Sequence, residues 1–341
     1  MPIACAPRRT ISLDGDGWQI RPHLGLEAAL EAARRAAPAE SSTETDADDA
    51  AIHALHTAAD AAAGWLPARV PGCVMDDLAR SGEIADPYVE RNSLLAEWVP
   101  ERAWTYRRRI DVPALVAGER AWLRFDGVDE TCHVFLDGAP IARHDGLFLP
   151  FEIEIGDRVR GGGGHELAVV VEPAPASEPQ VGRTSNVRVH RPRMSYGWDF
   201  CPRLVQQGLW RPVSLITAGP VRIADVWARP RLAADLASAT VTVEVALDLA
   251  PEWRGQVTLD AAIGDFAGDD AAAAVRVCVD LAHGEASARL ELRLHRPALW
   301  WPNGLGTAAL HELRVRASIG GDVVDERSVP VGFRRIDRVT S

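Results

Sequence analysis

Lysine is absent from the chain, and all 37 of its basic residues are arginine. Without a lysine amine neither Schiff-base chemistry nor a Walker-type phosphate loop can be built. Positive charge is in deficit too, 37 arginines against 48 acidic residues for a net charge of −11. That balance repels phosphate backbones and anionic lipid, so no nucleic-acid and no membrane partner is expected. No apolar run approaches the ~18–20 residues of a membrane span. The opening MPIACAPRRT lacks the apolar stretch of a secretory signal, which makes a cytoplasmic location the expectation. Cysteine is sparse: Cys5, Cys73, Cys132, Cys201 and Cys278 are scattered, odd in number and free of any CxxC pair. Neither a disulfide framework nor a zinc site is indicated, and no metal or cofactor is expected.

What is present describes an ordinary globular chain. Hydrophobic residues make up 47% and charged residues 25% of the 341, close to the globular average, and the length suits two domains, or three small ones. After a strand-like opening at 10–20, residues 27–63 form an alanine-rich insertion whose flanks have helical spacing and whose centre, ESSTETDADD, is too polar to order itself. His53 and His56 are three apart but lack a third ligand, so they read as solvated helix residues.

From Trp104 the apolar period becomes two. WTYRRRIDV, RAWLRFDGV, HVFLDGAPIARH, FLPFEIEI and HELAVVVEP read as short strands, with a hairpin turn at Asp137-Gly138 and a turn at Gly161–Gly164. A long irregular stretch, 173–207, precedes the strand RPVSLITA; a structureless connection of that length usually has a functional role. Seven further strands follow from Pro220, the number of an immunoglobulin-like sandwich. The expected fold is all-β, two consecutive sandwiches spanning 1–218 and 219–341, with almost no helix outside the insertion.

Tryptophan is the most conspicuous enrichment, 11 against three tyrosines. Indole faces stack on the C–H face of sugar rings while carboxylates and arginines bind the hydroxyls, although tryptophans also fill cores and seams. The densest signal is SYGWDFCPRLVQQGLWRPV, 195–213, where Gly197 and Pro202 punctuate a turn that presents Trp198, Asp199 and Phe200 together. Two readings of Asp199 stand: a sugar contact, or an aspartate that caps its own turn. Arg203 is placed to fix that carboxylate or the loop backbone. Upstream, Arg183, Arg188, Arg191 and Arg193 with His190 form the only dense basic cluster, read as salt-bridging to a neighbouring surface. Asp126, Asp129, Glu130, Asp145 and Glu172 sit at strand ends and turns, and no pair of them is marked as the two catalytic carboxylates a glycosidase needs.

The blocks VPGCVMDDLARSGEIADPYVERN, WVPERAWTYRRRI, LRFDGVDETCHVFLDG, HDGLFLPFEIEI, YGWDFCPRLVQQGLWRPV and ALWWPNGLGTAAL, closing with VGFRRI, resemble in content and order the β-mannosidases of glycoside hydrolase family 2. The resemblance implies a galactose-binding-like jelly roll, then an immunoglobulin-like sandwich, then a (β/α)8 barrel that holds the acid/base and nucleophile glutamates. VGFRRI normally closes the second of these, and the sequence ends at Ser341, so no counterpart of the barrel or its glutamates is expected and no catalytic residue is assigned. The family's GWDWGPR block contacts the terminal mannose. On that ground Trp198 is expected to be the wall and Asp199 the hydroxyl acceptor, with Phe200 in place of the usual tryptophan and Cys201 in place of the glycine. Met75 replaces a histidine usual in the VPGxVH block, at a position read as structural.

The implied function is the non-catalytic N-terminal portion of an enzyme that removes terminal β-mannose with retention. The implied partners are a β-mannoside oligosaccharide and the C-terminal barrel of the same polypeptide. The alternatives are a stand-alone carbohydrate-binding module, a purely structural scaffold, or the same region of another family 2 glycosidase such as a β-galactosidase or exo-β-glucosaminidase.

Overall fold

The structure is a computed structural model that describes residues 6–23, 64–175, 190–264, 273–281 and 286–336. The helical flanks expected at 27–63, with His53 and His56, lie outside the described residues, as do Arg183 and Arg188. The chain packs as two compact units, one of Thr10–Ala114 with Trp122–Ile216 and the other of Met1–Arg9, Leu115–Ala121 and Thr217–Ser341. Both are all-β.

The first unit is a jelly roll of two antiparallel sheets. Strands β1 (Arg9–Ser12), β2 (Gly15–His23), β3 (Leu66–Val70), β4 (Ala103–Val112), β5 (Arg120–Phe125), β6 (Thr131–Leu136), β7 (Ala139–Asp145), β8 (Phe151–Glu154), β9 (Gly163–Val171) and β10 (Val213–Ala218) follow in chain order. They form a six-stranded sheet, β3-β2-β4-β9-β6-β7, and a four-stranded sheet, β1-β10-β5-β8. The register pairs Trp104 with Val171, Tyr106 with Val169 and Val134 with Val169, so all of these side chains share one face. Trp18, Ile20, Trp104, Tyr106, Leu123 and Phe125 are almost fully buried. The opposite face of the six-stranded sheet has its own small cluster, Ala103, Phe135, Ala168 and Val170. Burial on both faces explains why β9 ends in a continuous valine run rather than an alternation.

Helix is scarce, as expected: among the described residues the α-helices are three short ones, α1 (Val74–Arg80), α2 (Asn92–Leu95) and α3 (Gly156–Val159). In α1, Val74, Met75 and Leu78 face inward, while Asp76 and Asp77 in the first turn suit the positive end of the helix. Met75 is buried, in keeping with a packing role. The glycine run is only in part a turn, because Gly163 and Gly164 already belong to β9 and pair with Val112 and Asp111. Asp137 and Gly138 do form the two-residue connection between β6 and β7.

The second unit is an immunoglobulin-like sandwich. Strands β11 (Val221–Leu232), β12 (Ser238–Leu249), β13 (Gly255–Ile263), β14 (Ala273–Leu281), β15 (Ala286–His295), β16 (His311–Ile319) and β17 (Asp322–Val331) form a three-stranded sheet, β11-β12-β15, and a four-stranded sheet, β14-β13-β16-β17. Alternate residues of β12, from Val241 through Val243, Val245 and Leu247 to Leu249, point into one core with Val257, Leu259, Leu290, Leu292, Leu313, Val315 and Phe333. The period of two in the sequence is therefore the inside-outside alternation of a sandwich with one solvated face per sheet.

Candidate functional site

From His190 the irregular stretch after β9 runs to the start of β10 within the first unit. Its backbone is threaded between the two segments that flank it. Gly72 N–H donates to Leu209 O at 2.9 Å, Val74 N–H to Gln207 O at 2.9 Å and Asp129 N–H to Gly208 O at 2.9 Å. Gly208 sits at φ +141°, and a Cβ there would fall 2.6 Å from the Tyr106 hydroxyl, so only glycine lets the backbone pass this closely. The Gln207 side chain, 2% exposed, donates to Arg102 O at 3.1 Å and Glu172 O at 2.7 Å and ties the loop to the end of the sheet. Trp210 donates its indole N–H to Leu147 O at 3.0 Å.

Arg191 is the charged anchor. Its side chain is 2% exposed and pairs with Asp129 at 3.0 Å and Glu130 at 3.5 Å, and it donates to Gln206 O at 2.6 Å. The basic cluster thus contributes a buried salt bridge at this residue rather than a solvated one. Burial pushes the Asp129 carboxyl up to about 7 even though Arg191 opposes the shift, and burial also raises Glu130. Desolvation outweighs attraction here because carboxylates leave water at high cost. The other carboxylates singled out in the sequence are engaged in partly exposed pairs. Asp126 accepts from Arg124 at 2.7 Å, Glu172 lies 2.7 Å from His133, and Asp145 bonds Arg143 and, at 2.7 Å, Thr131.

From this anchor the chain climbs to the turn. A short 3-10 helix, Arg193–Tyr196, plants the Tyr196 ring in a small cluster with Ala174 and Val205, and the Arg191 and Arg203 guanidinium carbons lie 5.8 and 5.9 Å from the ring centre. Gly197, at φ +104°, then reverses the chain in a conformation that side chains disfavour. Trp198 and Cys201 close the turn with reciprocal backbone hydrogen bonds of 3.2 Å each, which leaves Asp199 and Phe200 at its tip. Trp198 is 41% exposed and Phe200 74% exposed, with ring centres 6.3 Å apart. Asp199 is exposed, and among the described residues its carboxylate has no hydrogen bond or ion pair. Arg203 is therefore spent on Tyr196, not on Asp199. The structure brings two aromatic faces and one free carboxylate together at a solvent-facing tip, the components of a sugar contact.

The remaining loop tryptophans divide. Trp65, Trp98, Trp210 and Trp300 are half-buried under arginines, Arg107, Arg102, Arg211 and Arg334 respectively, whereas Trp301 is exposed. Sequence reasoning missed Asp129 as a buried, proton-holding group. Its only signal was the Val-Asp-Glu run at a strand end, shared by many solvated turns. Among the described residues no three His, Cys, Asp or Glu side chains are grouped to hold a metal, and no helix is long and apolar enough to cross a membrane.

The sequence pattern described as the glycosyl hydrolase 2 galactose-binding domain-like matches residues 44–211, that of glycosyl hydrolases family 2 matches 221–334, and the chain belongs to this family. Among its relatives, beta-mannosidase B of Aspergillus clavatus is 30% identical over 291 residues, 81% of this chain and 33% of that protein. Beta-mannosidase B of Neosartorya fischeri is 32% identical over 81% of this chain and 33% of its own length. Among solved structures, the beta-D-mannosidase of Dictyoglomus thermophilum superposes with a TM-score of 0.75 at 23% identity, covering 96% of this chain and 36% of that one. The chain spans about a third of the relatives it matches.

Proposed function

We propose that these residues are the N-terminal, non-catalytic two-sandwich portion of a β-mannosidase-like glycoside hydrolase, with the boundary between jelly roll and immunoglobulin-like domain at 218/219. In this reading the turn supplies one rim of the subsite for a terminal β-mannose. Trp198 is the wall against the ring, Asp199 accepts from a hydroxyl, and Phe200 extends the apolar face. The observation that carries the reading is the exposed Trp198 and Phe200 around an Asp199 that is unpaired among the described residues, on a chain whose curated relatives include β-mannosidases. The partner is a C-terminal catalytic barrel of the same polypeptide, and the substrate class is β-mannosides.

Exposed Leu95, Leu149 and Met194 in the first unit are consistent with a surface that another domain covers. A reducing, cytoplasmic setting fits the free thiols Cys73, Cys132 and Cys201. A rim without the acid and nucleophile binds but does not stabilise a transition state. The 341-residue chain, assayed with p-nitrophenyl β-mannoside, should therefore give no turnover above buffer. Turnover that Asp199→Ala abolishes would overturn the assignment.

A further inference from the structure

Beside the turn, and wholly within the first unit, lies a cleft of about 430 Å³ that the proposed rim does not use. Its walls include the aromatic rings of Tyr88, Phe148 and Trp210, and its polar lining includes Asp129, Arg191 and Gln206. Phe148 stands edge-on to Trp210, with ring centres 5.8 Å apart at 87°, and is 43% exposed, so one ring is held in place while another stays open to a ligand.

The polar lining is incompletely satisfied. Among the described residues, Arg191 Nε and Gln206 Oε1 are buried atoms with no hydrogen-bond partner, and Asp129 Oδ1 has only the Arg191 guanidinium, at 3.0 Å. Arg191 and Asp129 are both more than nine-tenths buried. Buried unpaired donors and acceptors each cost about 1–3 kcal/mol, so a site that retains two together is built for something that pairs with them.

The chemistry selects the occupant. One unpaired N–H donor and one unpaired oxygen, beside a carboxyl with spare acceptor capacity, ask for a ligand that both accepts and donates, which is what vicinal hydroxyls do. Arg191 already faces two carboxyl groups, Asp129 and Glu130, and Asp76 also lines the cleft, so an anion gains little there. The aromatic walls suit the C–H face of a pyranose, and the volume falls in the range of small-ligand sites. We propose that this cleft is a second carbohydrate site that takes one neutral pyranose residue of a glycan, with Phe148 and Trp210 as stacking walls and Asp129, Arg191 and Gln206 as hydroxyl partners. The choice of mannosides as probes rests on the β-mannosidase-like reading; the site itself rests on the cleft.

Calorimetric titration of the 341-residue chain with β-1,4-mannobiose tests it. Saturable binding is expected. It should weaken about tenfold or more in Phe148→Ala, a surface change that leaves the fold intact, and in Asp129→Asn, a difference of ~1.4 kcal/mol or more. In Trp227→Ala, at an exposed tryptophan of the second unit that belongs to neither site, the affinity should stay within about twofold. Absence of saturation at ~50 mM mannobiose, or binding lost in Trp198→Ala and unchanged in Phe148→Ala, would overturn the proposal. Failure of the glycosidase reading is separate, since it would appear as Asp199-dependent hydrolysis by the chain and leave the Phe148-dependent affinity untouched.

Discussion

The two units solve the same problem, burying an apolar sheet face, with opposite treatments of charge. In the immunoglobulin-like unit the core is aliphatic, and the pairs Arg229–Glu244, Arg314–Glu312 and Arg316–Glu326 stand on partly or fully solvated faces. Its clearest exception is Asp325, buried and receiving the Ile223 N–H at 2.7 Å. In the jelly-roll unit a triad of ionisable side chains, Arg191 with Asp129 and Glu130, is buried under an irregular loop. The difference teaches where specificity of conformation is needed. A regular sandwich is specified by alternation alone, whereas a loop that must hold Trp198, Asp199 and Phe200 outward has no repeating pattern to hold it and relies on directed bonds.

The largest effect that could break this contrast is at the anchor. Arg191→Met leaves Asp129 and Glu130 buried and unpaired, and should cost the first unit about 3–5 kcal/mol in urea unfolding. A loss under about 1 kcal/mol would show that the triad does not organise the loop. Next comes the aliphatic core: Leu259→Ala, at a fully buried position, should cost the second unit about 2–5 kcal/mol by cavity formation.

A pH series sharpens the contrast further. Asp129 holds its proton up to about 7 in the folded chain, against about 3.9 unfolded. Below that lower value it is neutral in both states. Between the two only the folded chain keeps the proton, so this residue's contribution to stability falls as pH rises and levels off above about 7. The wild-type minus Asp129→Asn difference in urea-unfolding free energy should therefore decline from pH 4 to 7, and a flat difference would refute the buried-carboxyl assignment. The smallest effect belongs to the solvated pairs: Glu244→Gln should move stability by less than about 0.5 kcal/mol, because its partner Arg229 is 45% exposed.

This contrast also explains what could be read in advance. The seven strands of the second unit were legible because Val241, Val243, Val245, Leu247 and Leu249 alternate with polar residues, and the period of two has one physical meaning there. Helix α1 escaped notice because VMDDLAR spans only two turns, too short a window for a 3.6-residue period to show. The turn at 197–201 was legible through Gly197 and through the resemblance of its block to a known one. The partners of Arg191 were not, because Asp129 and Glu130 lie about sixty positions upstream and only the tertiary fold brings them together. Nor was the cleft, whose walls Tyr88, Phe148 and Trp210 come from three separate loops.

The most direct test of the central claim, that Asp199 faces the glycan, uses a chimera in which this chain replaces the corresponding third of Aspergillus clavatus beta-mannosidase B. In folded, active chimera, Asp199→Ala should lower kcat/KM for p-nitrophenyl β-mannoside about 10- to 100-fold, the loss of a hydrogen bond to a charged group. Asp145→Ala, at a carboxylate already paired with Arg143, should leave it within about twofold. Equal and small effects of the two substitutions would contradict the account.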